Sequence, residues 1–185
     1  MTAATTPSPR AILHQSESHD WYTPSRYVEA ARAVLGGIDL DPASCAEANE
    51  IVQATRYYTA TDDGLAQPWH GRVFLNPPYG TTRGRSNQDL WSKRLIDAFE
   101  AGTVDAAVLL VNAATGNQWF QRLWKYPICF AGRRIRFWRP DQAASSPTHS
   151  NALVYFGADV DRFIREFSPL GAVVAQLRPD PEVAS

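Results

Sequence analysis

An almost unbroken apolar run at residues 104–112 constrains the fold of this chain more than any other segment. A strand with one face in water alternates apolar and polar residues, whereas a strand buried on both faces is apolar throughout. The run therefore predicts a strand inside a sheet that has helices on both faces. With 185 residues, of which 44% are hydrophobic, the chain is long enough to form one such compact domain.

Helical and strand-like patterns alternate along the rest of the chain. We expect helices at 24–35, 44–53, 89–101 and 159–167, and a short one that begins at Thr115 or Asn117 and ends at Trp124, with Thr23 and Ser44 as the N-caps of the first two. We expect strands at 38–41, 54–59, 72–75, 104–112, 128–130, 134–138, 152–156 and 171–177. This order predicts an α/β sandwich whose sheet is mostly parallel, with an antiparallel edge hairpin built from 134–138 and 152–156. The Gly-, Arg- and Ser-rich segment 81–88 is expected to be mobile.

The composition of the chain ends predicts one domain with flexible termini. Residues 1–18 are rich in Thr, Ala, Ser and Pro and are expected to form a leader, followed by a single domain at 19–178 and a tail at 179–185. No apolar run approaches the ~20 residues that a membrane-spanning helix needs. Cys45 and Cys129 lie in unrelated contexts and the histidines are scattered, so neither a disulfide nor a metal site is predicted. These features favour the cytoplasm and leave the oligomeric state open.

The charges are unevenly distributed although the net charge is only −1. Residues 38–63 carry the acids Asp39, Asp41, Glu47, Glu50, Asp62 and Asp63 against one base, Arg56. Residues 106–140 carry no acid, and their bases are Arg122, Lys125, Arg133, Arg134, Arg136 and Arg139. An acidic first half suits a cationic small molecule and a basic second half suits phosphates. Ordinary solvated faces would give the same counts, so both interpretations stay open.

The tetrapeptide Asn76-Pro77-Pro78-Tyr79 follows the predicted strand 72–75 and suits one chemical problem, the methylation of a conjugated amine. The lone pair of such an amine is delocalised, so the nitrogen attacks poorly. The Asn76 side-chain oxygen and a nearby backbone carbonyl can each accept one N–H bond, which favours a pyramidal nitrogen. Prolines stiffen the loop and bring no competing N–H. The Tyr79 ring offers a stacking face for an extruded base.

Three polar turns fall at predicted strand ends. They are Asp41-Pro42, Asp62-Asp63 and Asn76-Pro77. Ligands of α/β sheets bind at the carboxyl ends of the strands. The coincidence therefore predicts one site that contains all three turns.

An ordered set of motifs resembles the small phage-type DNA adenine methyltransferases of the Dam-like family, over about residues 20–157. The motifs are Asp20-Trp21-Tyr22-Thr23-Pro24, Ile38-Asp39-Leu40-Asp41-Pro42-Ala43-Ser44, Arg56-Tyr57-Tyr58-Thr59, Asp62-Asp63-Gly64-Leu65, Trp69, Phe74-Leu75-Asn76-Pro77-Pro78-Tyr79-Gly80, Gly132-Arg133-Arg134-Ile135-Arg136-Phe137 and Ala152-Leu153-Val154-Tyr155-Phe156. The resemblance implies a Rossmann-like methyltransferase sheet that uses S-adenosylmethionine and acts on adenine in DNA, without a metal.

The resemblance also implies roles for individual residues. Tyr22, Thr23 and Pro24 would wrap the methionine end of the cofactor. Asp41 with Pro42 and Ala43 would form the acidic turn beside its amino group and sulfonium. Asp62 or Asp63 would meet its ribose or adenine edge. Apart from the resemblance, the alternation of Asp39 and Asp41 along the first strand is taken to mean that only one of them faces the cleft. Asp41 is expected to be that residue, and Asp39 is the second candidate for the cofactor site, or else orients a loop.

The catalytic loop implied by the same resemblance is Asn76-Pro77-Pro78-Tyr79, in which Asn76 and the Pro77 carbonyl hold the target amine. Candidate contacts to DNA phosphates are Arg83, Arg85, Arg133, Arg134, Arg136 and Arg139. The chain departs from the wider methyltransferase pattern because Ala43-Ser44-Cys45 replaces the usual Gly-rich turn, and a turn without glycine restricts close backbone approach to the ligand at Ala43 and Ser44.

Two other functions fit parts of the pattern. Methylation of RNA adenine or of a protein glutamine amide would use the same chemistry, because each substrate is a planar amine. A catalytically silent nucleic-acid-binding module would keep the fold and the basic half. Against this last function, Asn76, both prolines, Tyr79 and the acidic turn are all present.

Overall fold

The computed structural model describes residues 22–138 and 149–176. The helices in this part of the chain are α1 (Ser25–Leu35), α2 (Ala46–Val52), α3 (Asn87–Glu100), α4 (Gln118–Gln121) and α5 (Val160–Phe167). The strands are β1 (Leu40–Asp41), β2 (Arg56–Tyr57), β3 (Gly71–Leu75), β4 (Thr81–Thr82), β5 (Arg85–Ser86), β6 (Val104–Asn112), β7 (Ile128–Ala131), β8 (Asn151–Phe156) and β9 (Gly171–Val174). The leader 1–18, the tail 179–185 and Arg139 lie outside the described residues.

Seven of these strands form one sheet in the order β2-β1-β3-β6-β8-β7-β9. The pairs β1–β2, β1–β3 and β3–β6 are parallel. Strand β8 is antiparallel to both β6 and β7, and β9 is antiparallel to β7. Strands β1, β2, β3, β6 and β7 therefore run in one direction, which confirms a mixed α/β fold with a mostly parallel sheet.

Strand β6 lies in the middle of the sheet and is buried on both faces, as its sequence predicts. Val108 and Leu110 belong to a core cluster with α1 and α5, whose buried residues include Phe163. Leu109 and Val111 belong to a second cluster on the opposite face, together with buried residues of α3. Successive side chains of a strand point to opposite faces, so one apolar run contributes to both cores.

The predicted edge hairpin of 134–138 and 152–156 is wrong. Strand β8 pairs with β6 and β7 instead, and 134–138 forms no strand. Its only ladder contact in the described chain is a single antiparallel bridge between Trp138 and Tyr22. Ile135 and Phe137 are nevertheless buried, while Arg134 and Arg136 are exposed. The apolar residues of 134–138 pack on the core and the arginines between them face solvent, so the sequence alternates as in a strand although no strand forms.

Residues 81–86, which follow Asn76-Pro77-Pro78-Tyr79 (the Asn76 loop), form a β-hairpin. Strands β4 and β5 pair antiparallel, with Thr82 opposite Arg85. The two residues between them, Arg83 and Gly84, have φ values of 51° and 76°. Two consecutive positive φ angles are the signature of the two-residue turns that match strand twist. Glycine adopts this geometry readily at Gly84, and Arg83 lies beside it at the tip of the hairpin.

Both predicted N-caps are shifted by one residue. Cys45, and not Ser44, caps α2, because its Sγ accepts a hydrogen bond from the Ala48 N–H. Ser44 is still part of the extended chain, where its N–H donates to the Tyr58 carbonyl at 2.9 Å. At the start of α1 the cap position is occupied by Pro24, and Thr23 is buried.

Candidate active site

The carboxyl ends of β1 and β3 bring Asp41 and Asn76 to the same edge of the sheet. The two strands are parallel neighbours, with Leu40 opposite Val73. Asp41 is the last residue of β1, and Asn76 directly follows the last residue of β3. The next strand, β6, continues the edge because Leu75 is opposite Leu109. The structure thus places the acidic turn beside the Asn76 loop, as predicted from the strand ends.

Asp41 is a buried acid at the end of β1. Its side chain is 3% exposed, and its Oδ1 accepts a hydrogen bond from the Ala43 N–H at 3.2 Å. Burial raises the pKa of Asp41 to about 7, and the Ala43 N–H and Ser44 oppose that rise. The nearby Ser44 hydroxyl is buried and has no hydrogen-bond partner of normal geometry among the described residues. Within that same part of the chain no Lys, Arg or His forms an ion pair with Asp41.

Asp39 is held by Arg72. One carboxylate oxygen accepts bonds from the Arg72 N–H and Nε at 2.8 Å, and the other accepts from Nη2 at 2.7 Å. The Arg72 side-chain bond is the main reason that the pKa of Asp39 is lowered. Arg72 also donates to the Gly36 carbonyl at 2.7 Å, so this pair fastens the end of α1 to β1 and β3.

The segment that contains Tyr22, Thr23 and Pro24 meets the start of α2. The Cys45 thiol donates to the Tyr22 hydroxyl oxygen at 3.1 Å. The Tyr22 ring packs edge-on against Trp138, with 5.1 Å between ring centroids. Because Cys45 closely follows Asp41-Pro42-Ala43, the two segments expected to hold a cofactor are brought together.

The Asp62-Asp63-Gly64 turn packs directly on the acidic turn. A Cβ atom on Gly64 would lie 2.0 Å from the Pro42 carbonyl oxygen, so only glycine permits this approach. Asp62 closes the turn, since its Oδ2 accepts from both the N–H and the hydroxyl of Thr59 at 2.7 Å. These two bonds lower the pKa of Asp62. Asp63 is exposed and has a φ of 53°.

The Asn76 loop is partly buried. Pro77 is buried, whereas Asn76, Pro78 and Tyr79 are half-buried. The Tyr79 ring packs edge-on against Phe137, with 6.1 Å between centroids. Burial raises the pKa of the Tyr79 hydroxyl to about 12, and Asn151 opposes that rise. Tyr79 is therefore neutral at all ordinary pH values and presents an uncharged ring.

Sequence reasoning missed two residues that hold this loop, Asn87 and Asn151. Asn87 donates to the Tyr79 carbonyl at 3.1 Å, and its N–H donates to the Gly80 carbonyl at 3.0 Å. Asn151 lies beside the Tyr79 hydroxyl. Neither residue stands in a recognisable motif. The only available signal was the presence of side-chain amides at the boundaries of predicted elements.

The candidate DNA-contacting arginines lie on two exposed segments. Arg83 and Arg85 belong to the β4–β5 hairpin directly after the loop, where Arg85 forms an ion pair with Asp89 at 3.1 Å. Arg133, Arg134 and Arg136 are exposed on the stretch that carries Phe137, the neighbour of Tyr79. Both segments therefore adjoin Tyr79.

The family model of DNA N-6-adenine-methyltransferases, named Dam, matches residues 10–165. This match spans well over half of the chain. The chain belongs to the Dam family of DNA N-6-adenine-methyltransferases. It is therefore an enzyme that methylates adenine in DNA, and the family expected from the ordered motifs is confirmed. No curated protein and no solved structure matches this methyltransferase.

The described part of the methyltransferase contains no group of three or more His, Cys, Asp or Glu residues that could hold a metal ion. No helix in the described ranges is long and apolar enough to cross a membrane.

Proposed function

We propose that this methyltransferase binds S-adenosylmethionine at the Asp41 edge of the sheet and transfers its methyl group to an adenine held by the Asn76 loop. The single observation that carries the proposal is the buried Asp41 carboxylate at the end of the strand next to Asn76. The sheet would then be a Rossmann-like methyltransferase sandwich, with the cofactor at the carboxyl ends of its parallel strands.

The chemistry of the acidic turn fits this cofactor. A buried carboxylate is costly unless a positive charge or several donors accompany it. Asp41 has one backbone donor, the Ala43 N–H, and the Ser44 side chain lies beside the carboxylate. The cofactor's amino group and sulfonium would supply the positively charged partner that the Asp41 carboxylate does not have among the described residues. The Ser44 hydroxyl can supply a further bond to the same group.

Other residues complete the cofactor site in this proposal. Tyr22, Thr23 and Pro24 cover the turn from the side of Cys45, which fixes their position through the Tyr22 hydroxyl. Pro42 and Ala43 supply the backbone of the turn. Asp62 keeps the adjoining turn closed, and the exposed Asp63 is free to meet a ribose or adenine edge. Asp39, which Arg72 holds, supports the turn from behind.

Asn76 and Pro77 would hold the amine of the extruded adenine. The Asn76 side-chain oxygen and the Pro77 carbonyl each accept one N–H bond, and Pro77 and Pro78 keep these acceptors in place. The neutral Tyr79 ring, supported at its edge by Phe137, stacks on the base.

The reaction in this proposal is a direct transfer of the methyl group from the cofactor to adenine, without a covalent enzyme intermediate. S-adenosylmethionine supplies an electrophilic methyl group on sulfur. The adenine N6 lone pair forms the new N–C bond as the C–S bond breaks, and the sulfur keeps the bonding electrons. The methylated nitrogen is then acidic and releases one proton to water. The chain's contribution is positioning and hydrogen bonding at N6.

DNA would approach from the side of the exposed arginines. Arg83, Arg85, Arg133, Arg134 and Arg136 lie on the two segments that adjoin Tyr79 and can contact phosphates that flank an extruded base. Such contacts position the duplex without reading its sequence. We include in the proposal that the enzyme acts in the cytoplasm of a host cell, where its DNA substrate would be present.

Transfer of a labelled methyl group tests the proposal. Purified protein is incubated with tritiated S-adenosylmethionine and with DNA, RNA or a glutamine-containing protein in separate reactions. We expect label on N6 of adenine in DNA. Label only on RNA or only on protein would overturn the substrate, and no label with any acceptor would overturn the assigned chemistry.

A further inference from the structure

We propose that a chain of side-chain amides, the buried Asn87, Gln88 and Asn151 and the half-buried Asn112, positions the Asn76 loop and the Tyr79 ring for base binding. We call these four residues the amide network. The inference rests on the proposed function of the loop, and it assigns to the network a positioning role that acts on the rate of methyl transfer.

The first part of the network holds the loop backbone from the start of α3. Asn87 is 8% exposed and makes three hydrogen bonds to the segment that follows Pro78. Its Nδ2 donates to the Tyr79 carbonyl at 3.1 Å, its Oδ1 accepts from the Thr82 hydroxyl at 2.7 Å, and its N–H donates to the Gly80 carbonyl at 3.0 Å. One side chain therefore fixes both ends of the Tyr79–Thr82 turn.

The second part connects α3 to the end of the central strand. Gln88 is buried, and its Oε1 accepts from the Asn112 N–H at 3.0 Å. Asn112 is the last residue of β6 and lies opposite Asn151, the first residue of β8. The Asn151 Nδ2 donates to the Asn112 Oδ1 at 3.4 Å. The contacts thus lead from α3 across the ends of β6 and β8.

The third part reaches the Tyr79 ring. Asn151 is 2% exposed, and its Oδ1 has no hydrogen-bond partner of normal geometry among the described residues. The Tyr79 hydroxyl is its neighbour, close enough for Asn151 to influence the ionisation of Tyr79. Asn87 therefore holds the tyrosine at its carbonyl, Asn151 lies beside its hydroxyl, and Phe137 packs against the ring.

A purely structural role would not require amides at these places. Burying an amide costs free energy unless its hydrogen bonds are made, and apolar residues of similar size would pack at lower cost. Buried polar networks instead select one conformation among several packings, because partial satisfaction is costly. In this loop the selected conformation sets where the base amine lies relative to the methyl donor.

The expected effect is on kcat, because a misplacement of about 1 Å can reduce a rate on the order of 100-fold. Asn87→Asp keeps the shape and the acceptor for Thr82 but removes the donor to the Tyr79 carbonyl. Asn151→Leu removes both polar groups near the Tyr79 hydroxyl and keeps the branching and the number of side-chain heavy atoms. For each variant we expect kcat for DNA methylation to fall about 10- to 100-fold, with the Kd for S-adenosylmethionine within about twofold of wild type.

Ser92→Ala is the matched control, since Ser92 is a buried polar residue of α3 whose hydroxyl donates to the Asp89 carbonyl and does not contact the loop. It should leave kcat unchanged. Thr82→Val removes the second Asn87 partner and should lower kcat less than Asn87→Asp. If Asn151→Leu does not fold, the kcat of Asn87→Asp still tests the positioning role, because Asn87 lies at the edge of the loop.

The same assay separates the two proposals. A large loss of kcat in Asn76→Ala together with wild-type kcat in Asn87→Asp and Asn151→Leu would overturn the amide network and leave the loop's function intact. Wild-type kcat in Asn76→Ala would overturn the proposed function itself. A loss in the network variants that is matched by an equal loss of cofactor affinity would also overturn the positioning role.

Discussion

Arg72 donates three hydrogen bonds to the carboxylate of Asp39, one from its backbone and two from its guanidinium. Asp41, two residues further along the chain, has no such partner among the described residues and is more deeply buried. Asp39 and Asp41 therefore have different roles. The first fastens β1 to β3 and α1, and the second is left with an unneutralised charge at the strand end.

Asp39→Asn tests this division. The substitution removes a charge-assisted pair that is partly exposed, so we expect the free energy of unfolding to fall by about 1–2 kcal/mol. The lowered pKa of Asp39 means that its stabilisation is present above the usual carboxyl pKa and is lost as pH falls through the lowered value. Urea unfolding at pH 7 measures the loss, and calorimetry should give an unchanged Kd for S-adenosylmethionine. A large loss of affinity in a folded variant would place Asp39 in the cofactor site.

Asp41→Asn should have the opposite effect on stability. Asp41 ionises near pH 4 in the unfolded chain but only at about 7 in the folded protein, so its contribution to stability declines as pH rises between these values and is constant above them. The full cost is on the order of 4 kcal/mol. We expect Asp41→Asn to raise the thermal midpoint at pH 8 and to flatten the pH dependence of stability between 4 and 7. A variant that is less stable at pH 8 would show that the carboxylate already has a partner.

Cofactor affinity should depend on the ionisation of the same group. A cation binds the ionised form of Asp41, so we expect the affinity for S-adenosylmethionine to rise with pH through about 7 and then to level off. Titration calorimetry from pH 5.5 to 8.5 measures this profile. In Asp41→Asn the affinity should be at least tenfold weaker, by analogy with the loss of a buried charged hydrogen bond, and flat with pH. A profile with the same rise in both proteins would assign it to another group.

Much of the architecture was predictable because it depends on local patterns. The apolar composition of residues 104–112 is enough to predict a buried strand, and the predicted bounds match those of β6. The polar turns after β1 and β3 were predicted to meet because parallel neighbours end at one edge. Asp41 and Asn76 do lie on that edge.

The errors concern features that depend on distant parts of the chain. Residues two apart in a strand share a face, so alternation alone does not separate Asp39 from Asp41; the position of Arg72 does. The cap of α2 moved to Cys45 because Ser44 bonds to the chain beyond β2. Asn87 and Asn151 act through a contact between α3, β6 and β8 that no local pattern contains.

Arg83 at the hairpin tip should contribute to DNA binding through a phosphate contact. Arg83→Asn removes the charge and keeps a residue that tolerates positive φ, so the turn is preserved. We expect weaker binding on all DNA sequences and a salt dependence whose logarithmic slope is smaller by about 1. Fluorescence anisotropy at several salt concentrations measures both.

Arg165→Asn is the matched control for this variant. Arg165 is exposed on α5, which packs chiefly against α1 and β9. Its loss should leave the slope unchanged. Equal slopes for wild type and Arg83→Asn would remove Arg83 from the interface.

The most direct test of the central claim is single-turnover transfer of labelled methyl from S-adenosylmethionine to DNA by Asn76→Ala. The control is Asn117→Ala, an exposed asparagine whose side chain makes no capping bond. We expect the rate of Asn76→Ala to fall about 100- to 1000-fold, as when one oriented hydrogen-bonding group is lost from an active site, with cofactor affinity retained. A rate within a few-fold of wild type would contradict the assignment of the Asn76 loop as the place where the adenine is held.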